Sequence, residues 1–67
     1  MITVRASEVK KGMVIKVGLP GREVDLYVSF SRKHRRYSGH MMIQGTSKEH
    51  GFAELGPRCN ETFQRIK

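Results

Sequence analysis

Tyr27–Gly45 reads YVSFSRKHRRYSGHMMIQG, two alternating flanks joined by a segment dense in positive charge. Upstream, Val24, Leu26, Val28 and Phe30 recur at a period of two, with Asp25, Tyr27 and Ser29 between them. That is the pattern of a strand with one face on a core. Downstream, Met41 and Ile43 continue on one face while Met42 and Gln44 take the other. The simplest structure is a hairpin whose projecting loop is Ser31–His40. This loop holds four of the thirteen Lys and Arg, two of the three His and no carboxylate. Such a density of charge is not buried without partners; it is solvated, or it meets an anion.

The rest of the chain supplies further short strands. Ile2-Thr3-Val4-Arg5 alternates. Ala6–Gly12 has room for little more than one helical turn, with Ser7 as its cap, Glu8 at its positive end, Val9 tucked onto the core and Gly12 closing it in a left-handed conformation. Met13–Val17 places Met13, Ile15 and Val17 on one face and Val14 and Lys16 on the other. Gly18–Glu23 is a loop in which Pro20-Gly21 suits the centre of a type II turn. After Gln44, the polar stretch Gly45–Gly51 connects to the short apolar segment Phe52–Leu55. Gly56–Asn60 breaks the chain, and Glu61–Lys67 reads as a closing strand with Phe63 on one face. Phe30, Phe52 and Phe63 are assigned to the core.

Sixty-seven residues make one domain, 1–67, with a core that is necessarily small. Five or six short antiparallel strands, short loops and no helix-length period predict an all-β fold. Closure into a small barrel removes exposed sheet edges. The expected form is an SH3-like barrel, with an OB-like barrel as the alternative. Thirteen basic residues against six acidic give a net charge of +7, which draws nucleic acid first, then anionic membrane or acidic protein. Cys59 is the only cysteine, so no intramolecular disulfide forms and the reducing cytoplasm is the expected compartment. The opening MITVRASEVKKG lacks the apolar region and cleavage site of a signal peptide, and no apolar run approaches a membrane span.

Val4-x-Ala6-x-x-Val9-Lys10-x-Gly12-Met13-x-Ile15 resembles the first strand, turn and second strand of the SH3-like or KOW-like N-terminal domain of elongation factor P and its relatives. The resemblance covers about a fifth of the chain and implies a fold. The loop carrying the modified Lys of those factors corresponds broadly to the basic loop here. The family's motif around that Lys is missing, so the translational function is not carried over. The chain also resembles the small orphan proteins frequent in phage genomes.

Arg32, Lys33, Arg35 and Arg36 are the candidate phosphate contacts, on a flexible arm whose affinity salt would weaken. Tyr37 within the loop and Tyr27 on the polar face of its strand are candidates for stacking on bases. Protonation of His34 and His40 would add charge to the same loop, though each also reads as an ordinary loop histidine. Arg5, Lys10, Lys11, Lys16 and Arg22 extend the patch if the first hairpin lies beside the loop. Catalysis finds no support: Glu49, His50, Glu54 and Cys59 share no motif, and the three His share no metal-ligand spacing with Cys59. The expectation is a non-enzymatic module without cofactor, catalytic residue or metal site, partnered by DNA or RNA. The alternative is a small adaptor or inhibitor docking its basic loop on an acidic protein surface, with outward Val14 and Met42 as an apolar contact. No membrane partner is expected, and the oligomeric state is open.

Overall fold

The computed structural model describes residues 2–18 and 21–67. Six strands alternate with short connections: β1 (Ile2–Arg5), β2 (Val14–Val17), β3 (Val24–Lys33), β4 (Met41–Ser47), β5 (Gly51–Leu55) and β6 (Thr62–Arg65), with one 3-10 turn, Ala6–Glu8, after β1. All ladders are antiparallel, and the spatial order is β1-β6-β2-β3-β4-β5. Thus β2 to β5 form a meander, and β6 returns to the free side of β2 and carries β1 beyond it. The fold is all-β, as the alternation predicts.

This sheet is curled. Laid flat, six strands would hold their outermost members about 24 Å apart. Yet Val4 of β1 belongs to the same hydrophobic cluster as Ala6, Val9, Ile15, Leu26, Val28, Met41 and Ile43, and Ala53 and Leu55 of β5 pack against it. Both edges therefore turn toward one core, giving a barrel-like shape. Among the described residues no ladder joins β1 to β5. Backbone bonds across the connecting segments draw that side together instead: Ala6 N–H donates to Glu61 O (2.7 Å), Ser7 N–H to Cys59 O (3.2 Å) and Met41 N–H to Pro57 O (2.8 Å). No helix among the described residues is long and apolar enough to cross a membrane.

The 3-10 turn departs from expectation in its cap. Ser7 lies inside the turn, and the Glu8 carboxylate instead accepts the Arg5 N–H at 2.9 Å. Val9 is buried as expected, and Gly12 has φ +97° with its N–H donating to Val28 O at 2.9 Å, a left-handed conformation that glycine adopts without strain. Pro20, half of the expected type II turn, lies outside the described residues.

Both arms of the central hairpin are longer than the alternation indicates. β3 continues through Ser31, Arg32 and Lys33, which pair with Ile43, Met42 and Met41. The loop is therefore His34–His40 rather than Ser31–His40. Likewise Gly45, Thr46 and Ser47 belong to β4 and Gly51 to β5, leaving Lys48–His50 as the turn. The buried Ser47 hydroxyl accepts the His50 N–H at 3.0 Å and closes that turn.

The larger correction concerns the aromatic residues. Val28 pairs with Gly45 and Phe30 with Gln44, so two residues of β3 advance against one of β4. This is a β-bulge with Ser29 as the extra residue, and Ser29 Oγ donates to Gln44 O at 3.2 Å. A bulge reverses the phase of everything beyond it. Ser31, opposite the fully buried Ile43, takes the inward place, and Phe30 turns outward, 39% exposed. On β5, Ala53 and Leu55 face the core, so Phe52 points away and is 66% exposed. Of the three Phe assigned to the core, only Phe63 packs there.

Candidate nucleic-acid interface

The basic segment is tied down rather than free as an arm. His34 N–H donates to His40 O (2.9 Å) and His40 N–H to Tyr37 O (3.2 Å). The His34 ring folds over its own loop, with Nδ1 accepting the backbone N–H of Arg36 (3.1 Å) and of Tyr37 (3.4 Å). Histidine here replaces the Asn or Asp that usually caps such a turn. The segment after β5 braces the far side: Cys59 N–H donates to Gly39 O (2.8 Å), His40 Nδ1 lies 3.0 Å from Gly56 O, and His40 bridges to Arg58. Thus His34 and His40 hold the loop's shape. Protonating Nδ1 of His34 would convert its acceptor into a donor and break both bonds.

Tyr37 is held by the same two rings, its centroid 4.8 Å from His34 and 6.1 Å from His40, and is 60% exposed. Arg35 and Arg36 immediately precede it, both exposed. Arg32 and Lys33 stand at the end of β3, exposed, and the Arg32 guanidinium lies 5.4 Å from the centre of the Phe30 ring, a cation–π distance. The single ion pair among the described residues is Lys16–Asp25, at 3.4 Å. Among the described residues, no carboxylate forms an ion pair with any of the hairpin's four cations.

The other cations divide by position. Lys16 and Arg22 sit at the opposite end of β3, where Lys16 pairs with Asp25. That is about 26 Å along the strand from Lys33, so these two do not extend the patch. Lys10 and Lys11 lie nearer, in the turn whose Gly12 bonds to Val28. Arg58, which the sequence did not single out, is brought beside the loop by its bridge to His40. The expected apolar pair is not presented: Val14 is buried at 7% exposure, and Met42 is half-buried and opposite Arg32 rather than beside Val14.

Register places the remaining features on one face. Tyr27 (45% exposed) stands opposite Thr46, which stands opposite Phe52; Phe30 stands opposite Gln44, which stands opposite Glu54; Arg32 stands opposite Met42. Directly opposed residues share a sheet face. The outer surface of β3, β4 and β5 thus carries Tyr27, Phe30 and Phe52 below the basic end of the hairpin. Phe30 was missed because the sequence has no mark of the bulge except Gly45, and Phe52 because Ala53 and Leu55 take the inward positions of β5. A cavity of about 640 Å³ is lined by Thr3, Lys16, Glu23, Phe63 and neighbours, and none of the hairpin's predicted contact residues borders it.

No known protein family matches the chain. No curated protein and no solved structure matches it either. The functional reading therefore rests on the residues themselves.

Proposed function

We propose that the chain is a non-enzymatic nucleic-acid-binding module that grips the phosphate backbone with Arg32, Lys33, Arg35 and Arg36, with Tyr37 and Tyr27 supplying stacking. The observation that carries this reading is the cluster of four cations at one end of a hairpin without an internal ion pair, beside a mostly exposed tyrosine held by two histidine rings. A braced loop loses less conformational freedom on binding than a free arm, which favours affinity. The reading carries with it an SH3-like barrel, supported by the meander β2–β5 and the return of β6 beside β2. It also carries the reducing cytoplasm as compartment. The competing reading, docking on an acidic protein, loses its motivating apolar pair with the burial of Val14.

Fluorescence anisotropy with labelled DNA and RNA oligomers across a salt series tests it. Neutralising four phosphates of a single strand gives log K against log salt a slope of about −3. The variant Arg32→Ala, Lys33→Ala, Arg35→Ala, Arg36→Ala flattens that slope and lowers affinity for every oligomer. No binding by the wild type at low salt, where attraction is greatest, defeats the reading.

A further inference from the structure

Four of the chain's five aromatic rings, Tyr27, Phe30, Tyr37 and Phe52, are exposed. For so small a domain this is anomalous, since burying rings is the largest source of stability open to it. Three of the four share the outer face of β3, β4 and β5, and none of these three stacks on another ring among the described residues. Tyr27 and Phe52 are two strand spacings apart, about 10 Å, and both are exposed, so they are far enough apart to meet separate planar groups.

The charges on and around this face are predominantly positive at its hairpin end. Of its two carboxylates, Asp25 is paired with Lys16 at 3.4 Å, while Glu54 accepts from the neutral amide of Gln44 at 3.3 Å and keeps its charge. Arg32 lies over Phe30, and the uncompensated cations of the hairpin stand at its upper end. Rings below and cations above fit a ligand that alternates planar apolar groups with anions. In a duplex the bases already stack on each other and present only their edges; in a single strand their faces are free.

The geometry points to this outer face as a stacking platform for unpaired bases, with Phe30, Phe52 and Tyr27 as the stacking residues, so that the nucleic acid bound is single-stranded. The inference rests on the proposed role of the hairpin and adds the substrate class. Arg32, lying over Phe30, offers its own guanidinium plane to a base and brings a cation to the adjacent phosphate.

The test compares a single-stranded thymidine 12-mer, a uridine 12-mer, a duplex of equal length and an abasic 12-mer of equal charge, with wild type, Phe30→Ala, Phe52→Ala and the four-fold hairpin variant. Circular dichroism melts confirm that each variant is folded. The intact single strands bind more tightly than the duplex or the abasic strand, and the preference between thymidine and uridine tells DNA from RNA. Each ring variant weakens single-strand binding about 5- to 100-fold and leaves abasic binding unchanged, whereas the hairpin variant weakens all four. The chain has no Trp, so its intrinsic emission is tyrosine emission. Intact strands quench it more than abasic ones, and a Tyr27→Phe variant loses part of that difference. If all four ligands bind equally and the ring variants change nothing, the platform is overturned while the hairpin's phosphate contact stands. If sedimentation shows the rings joining two copies instead, the platform falls and the hairpin contact stands; if no oligomer binds, both readings fall.

Discussion

Gly45 stands directly opposite Val28 in the β3–β4 ladder, at the step where β3 gains its extra residue. A Cβ on Gly45 would lie 2.5 Å from Tyr27 O and 2.8 Å from Leu26 Cγ. The bulge brings the β3 backbone over β4 so closely that only glycine fits beneath it. Gly45→Ala must push Tyr27 backbone or the fully buried Leu26 aside. A loss of about 1–3 kcal/mol is expected, read as a lower chemical-denaturation midpoint with unchanged slope. A neutral Gly45→Ala would mean that β3 and β4 pair in another register.

The aromatic residues give a second test of that register. Phe63→Ala empties part of the core and should lower stability by about 2–3 kcal/mol, somewhat less than a fully buried ring. Phe30→Ala and Phe52→Ala remove exposed rings and should each stay within about 0.5 kcal/mol of wild type. Thermal melts of the three variants decide the point. Comparable losses at all three positions would restore Phe30 and Phe52 to the core.

These two tests separate what the sequence discloses from what it conceals. Val24, Leu26 and Val28 alternate before the bulge, and Met41 and Ile43 alternate on β4, so the strands, their antiparallel pairing and most of the core follow from period alone. Strand ends do not. Arg32 and Lys33 look like loop residues by charge, yet the edge of a ladder tolerates long cationic side chains whose heads reach water. The phase of Phe30 depends on one unpaired residue, Ser29, which nothing local distinguishes from an ordinary strand serine. Phe52 was misplaced because hydrophobicity outweighed parity: Ala53 and Leu55 needed the inward positions. The cations of the site were legible as a run; its flat aromatic half was not, because it is assembled across three strands.

Ser31 exposes the cost of the phase change. Its hydroxyl is buried without a hydrogen-bond partner among the described residues, opposite Ile43 in the core. An unsatisfied buried hydroxyl carries a penalty of about 1–3 kcal/mol, and alanine removes the hydroxyl while leaving little void. Ser31→Ala should therefore raise the melting temperature by several degrees, since 1 kcal/mol corresponds to about 4–8 °C in a domain of this size. A fall in melting temperature would show that the hydroxyl has a partner.

The His34 ring acts as a cap for its own loop, so its removal should be felt at two amides. In His34→Ala the N–H groups of Arg36 and Tyr37 lose their acceptor and should exchange with deuterium faster, while amides of β3 and β4 keep their protection. The loosened loop pays more entropy on binding, so oligomer affinity should fall several-fold although no cation is lost. Unchanged exchange at Arg36 and Tyr37 would mean that the ring does not organise the loop.

Glu54 supplies a prediction of opposite sign. Its carboxylate lies on the outer face in Phe30's own row, two residues along β5 from Phe52, held by Gln44 Nε2 at 3.3 Å. Glu54→Gln keeps the shape, and the new amide oxygen can still accept from Gln44, so stability should move by no more than about 0.5 kcal/mol. The change removes one negative charge and takes the net charge from +7 to +8. A phosphate backbone crossing this face would lose a like-charge repulsion within a few ångströms, and affinity should rise about 2- to 5-fold at low salt. Screening shrinks the effect as the Debye length falls from about 30 Å at 0.01 M to about 8 Å at 0.15 M. Anisotropy titrations at both salt concentrations read this directly. An affinity that Glu54→Gln leaves unchanged at low salt would place the strand away from β4 and β5, on the hairpin alone.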